Sequence, residues 1–171
     1  NAQANTDDGS CLFAAVISSE ISNTTCFGES NGSIDITVSG GSSNDTFEWS
    51  NGETTEDIYN LLAGTYSVTV VDESDCAVQE LEFTIIEPDE LLVSVSVNNV
   101  SCNGFTDGSA TLTISGGTPS YTTNWGGNNP TALSAGNYGY TVTDINGCTF
   151  SDSIIIYEPG IFTASVNTTN V

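Results

Sequence analysis

Two kinds of side chain in this 171-residue chain could do chemistry: five cysteines and 22 carboxylates. No Lys, Arg or His accompanies them, and the formal net charge is −22. The cysteines are Cys11, Cys26, Cys76, Cys102 and Cys148. Cys26 and Cys76 lie 50 residues apart, and Cys102 and Cys148 lie 46 apart. Thiols in such sets form disulfides or bind metal. A thiolate metal site favours Cys-x-x-Cys spacing or histidine, and neither occurs. The expectation is therefore two disulfides, Cys26–Cys76 and Cys102–Cys148, in an oxidising compartment. Each would contribute roughly 3–4 kcal/mol by loop entropy. Cys11 is left over, to pair upstream, to pair with another subunit, or to stay free.

The carboxylates cluster at Asp72-Glu73-Ser74-Asp75 and Asp144-Ile145-Asn146-Gly147, with Asp7-Asp8 near the N-terminus. Calcium takes six to eight oxygens, and Asp72, Asp75, Asp144 and Asn146 could supply several. The same residues stabilise turns through their own backbone hydrogen bonds. No twelve-residue EF-hand loop is present. Paired carboxylates can hydrolyse glycosides, but nothing singles out a pair in a cleft. Without His or Lys, the abundant Ser and Thr have no general base. The chain is expected not to be an enzyme, with no catalytic residue and no cofactor other than possible calcium. A chain without cations cannot neutralise phosphates or bind anionic lipid. No stretch approaches the ~20 apolar residues of a membrane helix. The opening Asn1-Ala2-Gln3-Ala4-Asn5 lacks a signal peptide's basic and apolar regions, so the sequence reads as mature or internal material.

Behind these residues stands an internal repeat. Gly32-Ser33-Ile34-Asp35-Ile36-Thr37-Val38-Ser39-Gly40-Gly41 returns 76 residues later as Gly108-Ser109-Ala110-Thr111-Leu112-Thr113-Ile114-Ser115-Gly116-Gly117. Cys26 and Trp49 return at the same offset as Cys102 and Trp125. Ala63-Gly64-Thr65-Tyr66 then returns only 72 later as Ala135-Gly136-Asn137-Tyr138, and Glu87-Pro88 71 later as Glu158-Pro159. The lost residues fall after the tryptophan, where 50–57 faces 126–130. Length change concentrates in surface loops.

The constant blocks alternate apolar and polar residues. Ile34, Ile36 and Val38 match Ala110, Leu112 and Ile114. Tyr66, Val68 and Val70 match Tyr138, Tyr140 and Val142, and Phe83 and Ile85 match Ile154 and Ile156. Leu91, Val93, Val95 and Val97 open the second copy. Period two between Gly, Asn, Asp and Pro turns is the half-buried strand pattern, and no amphipathic helix is found. About six short strands per copy suit two packed antiparallel sheets. The expected fold is all-β, two tandem immunoglobulin-like β-sandwich repeats, each disulfide-stapled. An even number of strand reversals would place both cysteines of a repeat at one sandwich end. Trp49 and Trp125 are expected in the cores, with carbohydrate stacking as the alternative, and Tyr66 and Tyr138 as core or corner tyrosines.

Cys-x-Gly, Asp/Asn-Gly-Ser, Ser-Gly-Gly, Trp, Ala-Gly-x-Tyr, Cys and Glu-Pro in this order resemble the SprB-type repeat. Such repeats form tandem arrays in very large surface adhesins of the Bacteroidota, including gliding-motility adhesins. The resemblance covers about residues 15–88 and 89–159. It implies export across the outer membrane and a cell-surface or filamentous location; it names no ligand. Asp7-Asp8-Gly9-Ser10-Cys11 also resembles the end of a short module found in similar surface proteins.

The expected domains are 1–13 (end of an upstream module), 14–88 and 89–160 (sandwich repeats) and 161–171, a strand opening a following repeat or subunit through Phe162, Ala164 and Val166. Phe13, Ala15 and Ile17 would likewise open the first repeat. Units meeting head to tail, as a stiff rod, would have adjacent repeats or other copies as partners. The alternatives are a surface module holding glycan on loops such as 51–57, and a self-assembling filament subunit joined by strand complementation. Asn23 and Asn99 lie in N-glycosylation sequons. Ser153 (Asp152-Ser153-Ile154) and Thr46 (Asp45-Thr46-Phe47) resemble an O-glycosylation motif of the same bacteria.

Overall fold

The computed structural model describes residues 16–40, 44–71 and 78–167. The chain divides into two units, Asn1–Pro88 and Asp89–Val171. Their described residues are strands and connections, with no helix.

The first unit contains β1 (Val16–Ser22), β2 (Gly32–Ser39), β3 (Thr46–Trp49), β4 (Ile58–Leu61), β5 (Gly64–Val71) and β6 (Val78–Ile85). They form two three-stranded sheets, β1-β2-β4 and β3-β5-β6. All of these pairings are antiparallel. The period-two pattern produces the core directly. Alternate residues of β2 and β5 point inward, so Ile34, Ile36, Val68 and Val70 are buried with Trp49, Ile58, Leu61 and Ile85. Trp49 packs against Phe83, ring centroids 6.0 Å apart, and its indole N–H donates to the Thr55 carbonyl at 2.9 Å.

The second unit contains β7 (Leu92–Asn98), β8 (Ser109–Ser115), β9 (Thr122–Asn124), β10 (Gly136–Thr143) and β11 (Thr149–Ile156). One sheet is β7-β8 and the other β11-β10-β9. The counterpart of β4 shrinks to a single bridge between Gly108 and Leu133. The second core exchanges Ile34 and Val68 for Ala110 and Tyr140. A side chain shortened in one sheet is matched by a larger ring in the other, which keeps core volume. Trp125 lies 5.1 Å from the Tyr140 ring. Both tryptophans are thus core residues, 2% and 7% exposed. Tyr66 and Tyr138 are corner tyrosines: each hydroxyl donates to a carbonyl four residues upstream, Leu62 at 3.0 Å and Ser134 at 3.1 Å.

Strand direction departs from the expected count. In the first unit, β3 is antiparallel to β5, and β4 is antiparallel to β2. Gly32 at the start of β2 pairs with Leu61, and β5 begins at Gly64 just beyond it. So β2 and β5 run one way, while β3 and β4 both run the other. The chain crosses from one sheet to the other without reversing.

The 161–167 segment joins no strand, and Phe162, Ala164 and Val166 are exposed, Phe162 by 92%. The following repeat or subunit that this segment is expected to open is not among the described residues. At the other end, Ile17 is half-buried against the first core; Phe13 and Ala15 lie outside the described residues.

Candidate functional site

The short motifs of the repeat meet at one end of each unit. The amide of Gly28 in Cys26-Phe27-Gly28 donates to the carboxylate of Glu87 at 2.7 Å. Gly104 in Cys102-Asn103-Gly104 does the same to Glu158 at 3.0 Å. Beside this contact the Asn23 side-chain oxygen accepts the Ile86 amide at 3.0 Å, and the Asn99 oxygen accepts the Tyr157 amide at 2.9 Å. The backbone N–H groups of Thr24 and Val100 donate to the carbonyls of Ile86 and Tyr157. Each unit therefore ties the segment leaving its last strand to its first loop through the same three hydrogen bonds. In the sequence the two motifs stand far apart. They lie 54 to 59 residues apart, and no local periodicity signals such a contact.

The loop at this end is braced internally too. Asp107 accepts the Ser101 amide at 3.0 Å. Hydrogen bonds from Ser101, side chain first and then backbone, hold the Asp107 carboxyl below its ordinary pKa.

Asp144 sits at the opposite end of the second unit, in the β10–β11 hairpin, and is 5% exposed. Its carboxylate accepts the amides of Asn146 and Cys148, both at 2.9 Å, and of Thr118 at 2.8 Å. Burial pushes its pKa up, but the N–H bonds from Thr118, Cys148, Asn146 and Gly147 outweigh burial and the net shift is downward. The Asn146 side chain donates to the Thr118 hydroxyl at 3.0 Å. Here Asp144 and Asn146 do turn chemistry, and Asp72 and Asp75 lie outside the described residues. Among the described residues no three Cys, Asp or Glu side chains gather as a metal set.

A depressed carboxyl pKa stabilises the fold above its unfolded value of ~3.9. That contribution disappears as pH falls through the lower folded value. The second unit of an Asp144→Asn variant should therefore lose on the order of 1–3 kcal/mol at neutral pH and show a flatter acid-unfolding curve below pH ~4. Melting curves from pH 7 to 2 check this; identical curves for the two chains would refute it.

Disulfide chemistry is where the structure corrects the sequence reading. Cys26 and Cys148 are disulfide-bonded, whereas Cys102 is a free, exposed thiol. The expected Cys102–Cys148 staple is not formed. Cys102 lies in the β7–β8 loop, at the Glu158 end. Cys148 lies in the hairpin beside Thr118, at the other end. Three traversals separate them: β8, the β9-to-Leu133 run, and β10. One crossing of β8 alone spans about 20 Å at ~3.3 Å per residue, far beyond the ~7 Å limit between disulfide Cα atoms. The even count failed because β9 and the Leu133 bridge, like β3 and β4, form one traversal. Cys11 and Cys76 lie outside the described residues, so the expected Cys26–Cys76 pairing cannot be followed.

The 50–57 loop, longer than its counterpart, packs back on its own unit. The Asp57 carboxylate accepts the Ile36 amide at 3.0 Å and Glu56 accepts the Val38 amide at 3.3 Å. These carboxylates cover the exposed side of β2, which blunts a sheet edge. Among the glycosylation candidates, Ser153 and Thr46 are exposed on β11 and β3. Asn23 and Asn99, also exposed, each use the side-chain oxygen in the motif contact described above.

A family model, the SprB repeat, matches the chain at residues 18–54 and 94–130. One SprB-repeat match thus lies in each unit. Each match starts within the first strand of a unit and runs just past its tryptophan. The Ala-Gly-x-Tyr corner, the hairpin cysteine and Glu-Pro lie beyond the matched SprB segments, joined to them by Glu87 and Glu158. SprB repeats belong to cell-surface proteins, and their presence marks this chain as a repeat segment of a surface adhesin-type protein. No curated protein matches the chain.

Proposed function

We propose that the chain is a non-catalytic spacer of an extracellular adhesin, in which SprB repeats follow one another head to tail as a stiff rod that displays an adhesive part elsewhere. One observation carries this reading. In both repeats the departing segment is held to the unit by the same three contacts, from Asn23 or Asn99, from Thr24 or Val100, and from Glu87 or Glu158. A chain that leaves each unit in a fixed direction, next to Pro88 or Pro159 whose φ is locked, has little freedom to bend there. Trp49 and Trp125, the residues considered for carbohydrate stacking, are buried and do not present their faces to a ligand. A composition without His, Lys or Arg supports a structural role.

Glu87 is the test of stiffness. Glu87→Ala removes the acceptor of the Gly28 amide while leaving the core untouched. Small-angle scattering should show a single extended particle for the parent chain. The variant should give a broader distance distribution, with a melting temperature within a few degrees of the parent. A parent chain already as flexible as the variant would refute the rod.

A further inference from the structure

The two units close the same sheet edge differently. In the first unit, the side of β2 turned away from β1 is covered along its length. Its start pairs with β4, from Gly32–Leu61 to Ile34–Ile58. Further along, the amides of Ile36 and Val38 donate to the Asp57 and Glu56 carboxylates. In the second unit, the same side of β8 is covered at its two ends. Gly108 exchanges both backbone bonds with Leu133, and the Ala110 amide donates to the Pro130 carbonyl at 2.9 Å. Past the other end, the Tyr121 hydroxyl donates to the Gly116 carbonyl at 2.7 Å. Between these ends lie Leu112 and Ile114, the counterparts of Ile36 and Val38.

Backbone groups of an antiparallel strand alternate sides with period two. Gly108 and Ala110 face away from β7, so the N–H and C=O groups of Leu112 and Ile114 do as well. Among the described residues neither amide has a hydrogen-bond acceptor on this side. The cause lies in the loop after the tryptophan. Residues 126–130 are fewer than 50–57 and contain no Asp or Glu, so the carboxylates that cap β2 have no counterpart. Burial follows suit: Ile36 is 1% exposed, whereas Leu112 is only half-buried. A strand edge left open in this way is a template for another strand.

Charge and register decide which strand fits. Neither β7 nor β8 contains an Asp or Glu, on a chain whose net charge is −22. Copies of such a chain repel one another, and at the β7-β8 sheet they can meet without opposing carboxylates. On β2, by contrast, Asp35 lies opposite Glu20 of β1. We propose that the open edge of β8 pairs with the β8 edge of a second copy, antiparallel about Thr113, so that β7-β8-β8-β7 becomes one sheet shared by two chains. In this register Leu112 faces the second copy's Ile114, and Ile114 its Leu112, each pair exchanging both of its backbone hydrogen bonds. Thr113 meets Thr113 and Thr111 meets Ser115 on the solvent face, pairs that suit neighbouring strands. The incoming strand also ends where the room ends. The position opposite Ala110, already held by Pro130, belongs to the second copy's Gly116, whose φ of +69° turns the chain out of the sheet. The contact is two-fold and self-complementary, so it closes as a pair. It is small, so a single pair is weak and needs high concentration to populate. This side-by-side contact goes beyond the spacer reading and does not depend on it.

Amide hydrogen exchange on the ¹⁵N-labelled full chain reads the edge directly. In micromolar solution, Leu112 and Ile114 should exchange at least several-fold faster than Ile36 and Val38. At millimolar concentration, with salt to screen the carboxylates, their protection should rise several-fold while that of Ile36 and Val38 stays constant. Full protection already in dilute solution would mean that the chain covers this edge itself. Protection still missing at millimolar concentration would mean that no second copy covers it. Either result overturns the proposal. Thr113→Asp sets two carboxylates opposite each other at the centre of the pair. It should remove the concentration dependence and leave the dilute melting temperature within a few degrees of the parent's. Protection that rises in this variant as it does in the parent would refute the pairing.

Cysteines placed on the strand test the register, in a Cys102→Ser chain that lacks the exposed native thiol. Thr113 would face its own copy in a non-hydrogen-bonded pair, with Cα atoms about 4.5 Å apart, within disulfide reach. Thr113→Cys should therefore oxidise to a symmetric dimer, identified by peptide mapping. Thr111→Cys and Ser115→Cys should each dimerise several-fold more slowly alone, and should cross-link to each other when mixed. Equal rates at all three positions would report mere collisions of exposed thiols and sink the idea.

Discussion

Trp49→Ala should remove about 3–5 kcal/mol from the first unit, a large part of the 5–15 kcal/mol that holds a typical domain. The indole is 2% exposed in a core where eight of the described residues are buried. Its removal leaves a cavity facing Phe83, which a small sandwich cannot close by collapse. It also strands the Thr55 carbonyl, the acceptor of the indole N–H, and loosens the 50–57 loop whose Asp57 and Glu56 cover β2. The loss should be confined to one unit, because the two cores share no residue. Residue-resolved hydrogen exchange is the measurement. Amides of β2 and β5 should lose protection while those of β8 and β10 keep theirs; equal loss in both units would contradict separate cores.

Gly108→Ala is the second large effect, and it comes from adding one carbon. A Cβ there would stand 2.8 Å from the Leu133 carbonyl oxygen and 2.8 Å from the Ile156 side chain. Leu133 is held to Gly108 by backbone bonds in both directions, 2.9 and 3.0 Å. A bonded carbonyl on one side and the buried Ile156 side chain on the other leave little room to yield, so overpacking of about 1–3 kcal/mol is expected, with loss of the bridge in addition. Gly32 is the same case in the first unit, against the Leu61 carbonyl and Ile85. Gly104→Ala is the control, since nothing lies within 4 Å of its added carbon; its cost should come from its φ of +78° alone. Thermal melts of the three variants rank them, and a Gly108→Ala chain as stable as the parent would refute the close approach.

These examples show what the sequence could and could not say. Alternation at Ile34, Ile36, Val68 and Val70 was readable because a strand has period two and one face must be buried. The recurrence of Trp49 at Trp125 marked both as core positions. Direction was not readable. Nothing in Thr46–Trp49 or Ile58–Leu61 records that the two strands run the same way, since a strand alternates identically in either sense. That one missing fact misplaced Cys102 relative to Cys148. The close backbone approach at Gly32 and Gly108 was not readable either, nor was the hold of Glu87 and Glu158 on the first loop. Both have one cause. The partner atoms lie dozens of residues away, and a local pattern carries no trace of them.

The uninterrupted crossing from β3 to β4 has a mechanical consequence. It gives the first unit five traversals, an odd number, so the chain enters at one end and leaves at the other. Its outermost strands in sequence, β1 and β6, run in the same direction. Tension applied along the chain therefore pulls β1 lengthwise against β2, to which seven residue pairs register it from Val16–Ser39 to Ser22–Ser33. The ladder bonds of that pair are loaded together, in shear, instead of being peeled one after another. An even number of traversals would have put both attachment points at one end and let a pull unzip the sheet from its edge. The same topology that keeps Cys102 and Cys148 apart thus sets a pull along the chain against the strand ladder in shear.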